Sequence, residues 1–251
     1  MMLHRTPPSR RGCALVCNCM SLVVVLVRAR NPLNIGAVAR AMSNFGVADL
    51  RCVGSYEPSF REAKSAVDAD AVMQSAQVFA SLPDAIADCT FVIGTSASLD
   101  RDFALGPLSL NHADEVRAQM AEGRTALLFG SEKTGLSRDE LSYCHRVLRI
   151  PTRPEHGSMN LGQAAAVLLY ELTRKPISAA HEPRAGATGA ELQRLEQAWL
   201  SALQHTGYIK PNTDLVSTEK LRTLIRRLDL SEEDAALMTG MWSKVLKQKS
   251  R

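Results

Sequence analysis

The sequence predicts an α/β protein built on a parallel sheet and followed by a small α-helical extension. Three observations predict it. Short apolar runs alternate with helical patterns across the first two-thirds of the chain. The first of these runs, Leu22–Val27, is rich in Val and has no polar interruption, as expected of a central parallel strand covered on both faces. Beyond residue 189 no strand pattern survives, and only amphipathic helical stripes remain.

Taken in order, Val38, Ala41, Met42 and Phe45 recur at helical spacing after Asn31-Pro32, with Gly46 as the stop signal. Leu50–Val53 reads as the second strand, closed by Gly54. The stretch Ala63 to Leu82 is Ala-rich and partly helical, and Asp84–Asp88 reads as a short helix. Phe91–Ile93 forms the third strand, ending at Gly94. Asn111–Ala121 is helical, Thr125–Phe129 and Val147–Ile150 are two further strands, and Leu161–Thr173 is a strongly apolar helix. Residues 20–175 thus form the α/β domain. Two prolines and small residues mark 176–189 as a linker, and 190–251 is the helical extension. Its three stripes are Leu192/Leu195/Trp199/Leu200/Leu203, Leu221/Leu224/Ile225/Leu228, and Ala235/Leu237/Met238/Met241/Trp242/Val245. Residues 1–19 are basic and end at Met20, which opens the first strand. They are expected to be disordered or to come from an upstream start codon.

With 45% apolar and 22% charged residues the chain reads as globular, not disordered. The net charge of +4 is compatible with a polyanionic partner without requiring one. The six cysteines lack paired spacing or histidine partners, so no metal site is expected, and buried free thiols in a reducing cytoplasm are the ordinary reading. No segment reaches the ~18–20 apolar residues needed to span a bilayer.

Function in an open α/β sheet is sought in the loops at the carboxyl ends of the strands. Here those loops carry Gly and small polar residues: Asn31–Gly36, Thr95–Ala97, Gly130–Gly135 and Pro151–Met159. The spacing from Gly130 to Gly135 suits a phosphate loop, but Leu136-Ser137 follows where Lys-Ser/Thr is needed, and G-x-G-x-x-G is absent.

Asn34-Ile35-Gly36-Ala37-Val38-Ala39-Arg40 matches an N-x-G-x-x-x-R motif. With Phe129-Gly130-Ser131-Glu132-x-x-Gly135-Leu136 and Ile150-Pro151…Ser158-Met159-Asn160-Leu161, in that order and spacing, the chain resembles the SpoU/TrmH family of SPOUT RNA 2′-O-methyltransferases over roughly residues 20–175. Thr95-Ser96-Ala97 and the Lys220-Leu221-Arg222-x-Leu224-x-x-Arg227 pattern in the extension are similar to a branch that modifies the ribose at position 32 of the tRNA anticodon loop. Met159 stands where the family has Leu, and Ser131 where it often has Asn.

The resemblance implies a SPOUT fold with a C-terminal trefoil knot, a homodimer with the active site near the subunit interface, a cytoplasmic location, S-adenosyl-L-methionine (SAM) as cofactor and tRNA as partner. It implies SAM contacts from Thr95, Ser96, Ala97, Gly130, Ile150, Gly157, Ser158 and Met159, and a catalytic set of Arg40, Asn34, Ser158 and Asn160. A guanidinium is a poor general base, with a pKa above ~12. Arg40 is therefore expected to fork onto a phosphate and stabilise the developing 2′-oxyanion, acting in its own subunit or across the dimer. Asn160 also suits a helix N-cap. Glu132 is expected to cap backbone amides, and His156 is left outside the site. Arg28, Arg30, Arg222, Arg226 and Arg227 are candidate RNA contacts. The alternatives are action on another tRNA position or on ribosomal RNA, and a non-catalytic RNA-binding paralogue.

Overall fold

The computed structural model describes residues 22–54, 70–97, 108–153, 155, 157–174, 185–209 and 214–248. The expectations for residues 1–19, for most of the linker and for His156 lie outside these. Strands β1 (Leu22–Val27), β2 (Asp49–Val53), β3 (Gln77–Phe79), β4 (Phe91–Thr95), β5 (Leu108–Ser109), β6 (Thr125–Phe129) and β7 (Arg146–Arg149) form one sheet in the order β3-β2-β1-β6-β4-β7-β5. Every pairing is parallel. The short strands β3 and β5 lie at the two edges and were not anticipated. Three and two residues carry no readable alternation, and pairing to a neighbour makes them strands.

β1 sits centrally and is buried on both faces. Leu22, Val24 and Leu26 enter one core with α1 (Pro32–Asn44), α4 (Ala113–Met120) and α6 (Leu161–Thr173). Val23, Val25 and Val27 enter a second core with α3 (Leu82–Ala85) and α5 (Arg138–Ser142). This alternation is the period-two geometry of a strand sandwiched by helices. A short helix, α2 (Asp70–Ser75), adds Val72 to the first core. α1 opens on Asn31, whose side chain accepts from Leu33 N, with Pro32 in the first turn, where its missing N–H costs nothing. Gly46 (φ +71°) turns the chain out of the helix. α6 packs across α1 at Gly162, where a Cβ would lie 2.6 Å from that of Ala37. Only glycine permits that approach.

The C-terminal helices α7 (Gly189–His205), α8 (Asp214–Arg227) and α9 (Glu232–Gln248) share a third core around Leu192, Leu195, Leu221, Ile225 and Ala235. Trp199 and Trp242 stack there, with ring centroids 5.0 Å apart. These helices are docked on the α/β domain. Gly189 and Ala190 donate backbone hydrogen bonds to Cys89 O and Ala87 O, and Gly186 bridges Ser231. The described end of the expected linker, residues 185–189, is thus part of the docking seam. No helix among the described residues is long and apolar enough to cross a membrane.

Candidate active site

Adjacent strands β6, β4 and β7 end on one side of the sheet, and the loops that leave them enclose a cavity of about 390 Å³. That size lies within the usual range of small-molecule sites, about 300–1,000 Å³. Thr95 ends β4, with Ser96 and Ala97 after it, Gly130–Leu136 follow β6, and Ile150, Thr152 and Gly157–Asn160 follow β7. All eight expected cofactor residues line it, as do Asn34, Ser158 and Asn160 of the expected catalytic set. Leu136 and Leu161, the last residues of the second and third motifs, join Leu148, Ala164 and Leu168, which motif reasoning passed over, in an apolar wall; Leu161, Ala164 and Leu168 are those on α6. The i, i+3, i+7 spacing of the last three on α6 was the available signal.

Several hydrogen bonds hold these loops. Thr95 donates its hydroxyl to Leu128 O at 2.9 Å, and Ser96 N donates to Leu148 O at 3.1 Å. In the β6 loop Gly135 N donates to Ser131 O at 2.9 Å, while the Ser131 and Thr134 hydroxyls lie 2.8 Å apart. The departure from Asn at position 131 therefore leaves a side chain engaged within its own loop. A Cβ on Gly130 would lie 2.0 Å from Gly135 C and 2.1 Å from Leu136 N. Gly130 is thus demanded by the loop's own return as well as by any ligand.

The three motifs meet through side chains. Asn34, in the first turn of α1, donates from Nδ2 to Glu132 Oε1 at 3.0 Å and accepts from Asn160 Nδ2 at 3.0 Å. Asn160 in turn caps α6, accepting from Gly162 N at 2.9 Å and from Gln163 N at 3.4 Å. Glu132 also accepts from Asn31 N at 3.2 Å and Arg30 N at 3.5 Å. Partial burial pushes its carboxyl up, but the bonds from Asn34 and these amides outweigh burial and hold it below the usual value. A carboxylate so occupied is a poor proton acceptor. It caps amides, its own backbone N–H in the β6 loop and those of Arg30 and Asn31 before α1.

Arg40 does not line this cavity; it is exposed on α1. Six residues from Asn34 carry it about 9 Å along the axis and about 240° around it. It shares a face with Leu33, which is 56% exposed; Tyr170 of α6, packed against Phe45, is 55% exposed. Among the candidate RNA contacts, Arg30 and Arg227 are exposed. Arg222 and Arg226 need correction, while Arg28 is partly exposed but engaged. Arg28 forks onto Glu140 at 2.8 and 2.7 Å and donates to Gly135 O at 3.2 Å. Arg222 is 7% and Arg226 2% exposed. Arg222 forks onto Glu196 and reaches Asp139 and Ser142, so its donors are spent inside the protein. Both sit on the inward face of α8 at i and i+4, whereas Arg227 points away.

Residues 21–170 match the model of the SpoU rRNA Methylase family. The tRNA (cytidine/uridine-2′-O-)-methyltransferase TrmJ of Klebsiella pneumoniae is 31% identical over 237 residues, which span 90% of this chain and 96% of that protein. The TrmJ of Pectobacterium atrosepticum is 32% identical over 232 residues, spanning 89% and 96%. The crystal structure of TrmJ from Z. mobilis matches with a TM-score of 0.79 at 29% identity, covering 89% of this chain and 98% of that one.

Proposed function

This chain belongs to the SpoU rRNA methylase family, and we propose that it methylates the 2′-hydroxyl of a tRNA ribose, at position 32 of the anticodon loop, with SAM as methyl donor. The observation that carries this reading is the hydrogen-bonded chain Glu132–Asn34–Asn160, which joins three motif segments at the rim of the cavity. The cavity's residues fit the cofactor. An apolar wall of Leu148, Ile150, Leu161 and Ala164 suits a flat base, and small residues at Thr95–Ala97, Gly130 and Gly157–Ser158 leave main-chain groups accessible. The family's trefoil knot belongs to the same reading, supported by two separate loops, 130–136 and 150–160, lining one cavity.

Bound there, SAM would supply a methyl already activated on a sulfonium. The protein's share is alignment. Asn34 and Asn160 brace the entrance to the cavity. Arg40 forks onto the phosphate beside the target ribose and stabilises charge developing on the 2′-oxygen. Glu132 stays ionised as a brace, and the hydroxyl proton leaves to water. Since Arg40 lies on the outer face of α1 with Leu33, and Val167 and Tyr170 of α6 are also exposed, we read this face as a homodimer surface that brings Arg40 to the partner's cavity. The cytoplasm is the compartment this reading requires, and the buried free thiols Cys52, Cys89 and Cys144 suit it.

The C-terminal helices α7, α8 and α9 lie beyond the family match, whereas the alignment with the tRNA enzymes spans 90% of this chain and so extends well past residue 170, which favours tRNA over ribosomal RNA. The test incubates purified protein with methyl-labelled SAM and unmodified tRNA or ribosomal RNA, and maps the product nucleotide. Label on the ribose of tRNA nucleotide 32 is expected. Label on ribosomal RNA, on a base or at another tRNA position overturns that assignment.

A further inference from the structure

α5 stands between the cofactor loop and the C-terminal helices, and each side grips it by a carboxylate. It begins at Ser137, directly after Leu136 of the cavity wall, with Ser137 and Glu140 forming a capping box. On one side Glu140 binds Arg28, whose Nη2 also donates to Gly135 O, so the return of the cofactor loop and α5 share one guanidinium. Arg28 holds a left-handed backbone (φ +57°), pinned by its N–H to Val53 O at 2.7 Å. A non-glycine residue adopts that conformation only where its surroundings impose it.

On the other side Arg222 of α8 reaches across. Its Nη1 donates to Asp139 Oδ1 at 2.8 Å and Ser142 Oγ at 2.9 Å, while its Nε and Nη2 hold Glu196 of α7. The guanidinium also lies 3.8 Å from the ring centroid of Tyr143, just past α5. A five-residue helix has no stability of its own. Leu141 anchors it in the core, but its tilt is set by what holds its polar face.

We propose that Arg222 is a positioning residue for the cofactor cavity: it transmits the seating of the C-terminal helices through α5, Glu140 and Arg28 to the loop 130–136, so that the cavity is fully formed only while those helices are docked. The proposal rests on the reading of that cavity as the SAM site. It also makes coupling reciprocal: RNA that engages the C-terminal helices tightens SAM, and SAM steadies the helices.

Hydrogen exchange without cofactor and SAM titration by calorimetry are measured on the full chain, for Arg222→Met and for Asp139→Ala/Ser142→Ala. The second variant frees α5 while leaving Arg222 on Glu196, and it decides the matter if the first does not fold. Amides 131–136 are expected to exchange about tenfold faster, and SAM to bind about five- to tenfold more weakly, a normal size for coupling between sites. Arg28→Met should weaken SAM similarly, and combining it with Arg222→Met should add little, because both act on one path. Unchanged exchange in 131–136, or losses that add in the double variant, overturn the proposal. Failure of the wild-type protein to bind SAM would instead overturn the functional reading, and the exchange result would still decide the coupling.

Discussion

The two ends of the parallel sheet are built from opposite chemistry. At the end where the strands begin, Arg51 of β2 spends all its donors. It forks onto Asp88 at 2.5 and 2.9 Å and onto Asp49 at 3.2 and 3.1 Å, and it donates to Ala85 O at 2.7 Å. Arg124 closes the cluster onto the same two carboxylates. At the end where the strands finish, Glu132 and two amides, Asn34 and Asn160, join three loops at the rim of an open cavity, while the Arg28–Glu140 pair holds the return of the loop 130–136 from behind. Saturated charges fasten one end and leave nothing to bind a ligand. At the other end the groups that face the cavity are mostly amides and exposed main chain, with the charged Arg28–Glu140 pair behind the loop, which keeps the cavity receptive.

Substitutions at four positions test this division. The largest effect is expected at the open end. Arg40→Ala should cut methyl transfer about a thousandfold, the scale of losing a preorganised donor to a developing oxyanion, with the fold retained. Arg40→Lys should recover little, because a point charge cannot fork. Near-full activity in the lysine variant would refute bidentate positioning.

At the closed end Arg51→Met should leave activity intact at permissive temperature and cost about 2 kcal/mol in denaturant unfolding, less than for a wholly buried pair because Asp88 is half exposed. The pH dependence has a defined sign. Hydrogen bonding to Arg51 is the largest cause that lowers Asp88 from 3.8 to about 2, so its contribution is present above 3.8 and fades as pH falls toward 2. Arg51→Met should shrink that acid limb. An unchanged limb would mean that Asp88 is held by Arg124 alone.

Asn160→Ala should cost about 1 kcal/mol through the lost N-cap and weaken SAM binding through the freed Asn34. Asn160→Ser separates the two roles, since serine caps a helix but is too short to reach Asn34. Stability should return and SAM affinity should not. The smallest effect belongs to Arg226, whose Nε and Nη1 have no hydrogen-bond partner among the described residues and whose pKa burial pulls down to about 10. Arg226→Met should be neutral or stabilising by about 1 kcal/mol, since an apolar side chain of similar length removes an uncompensated buried charge. A clear loss of thermal stability would show that Glu196, whose charge favours the ionised form, compensates Arg226 without direct contact.

Much of the architecture was legible because it is local. β1, β6 and α6 occupy the residues read from the sequence, since an uninterrupted Val run and a 3.6-residue apolar period need no distant partner to be recognised. α5 escaped notice: five residues carry too little periodicity, and its capping box, Ser137 with Glu140, was the signal available. The residues lining the cavity were legible for another reason. Loops of small residues after successive parallel strands converge on one side of the sheet whatever the details of packing.

Tertiary structure alone decided what the arginines do. Arg28, Arg40, Arg222 and Arg226 carry the same charge, and nothing within a few residues of each distinguishes a buried brace from a side chain at the surface. Arg28 and Arg222 became braces because Glu140, Asp139 and Glu196 arrive opposite them from elsewhere in the chain. Arg40 stands about 240° around α1 from Asn34, on a face that the first core does not cover. Sequence determined where the strands, the motifs and the receptive loops lie, because those follow from residue type and spacing. The partner of a long charged side chain is set by which distant segment folds against it, and only the assembled fold supplies that.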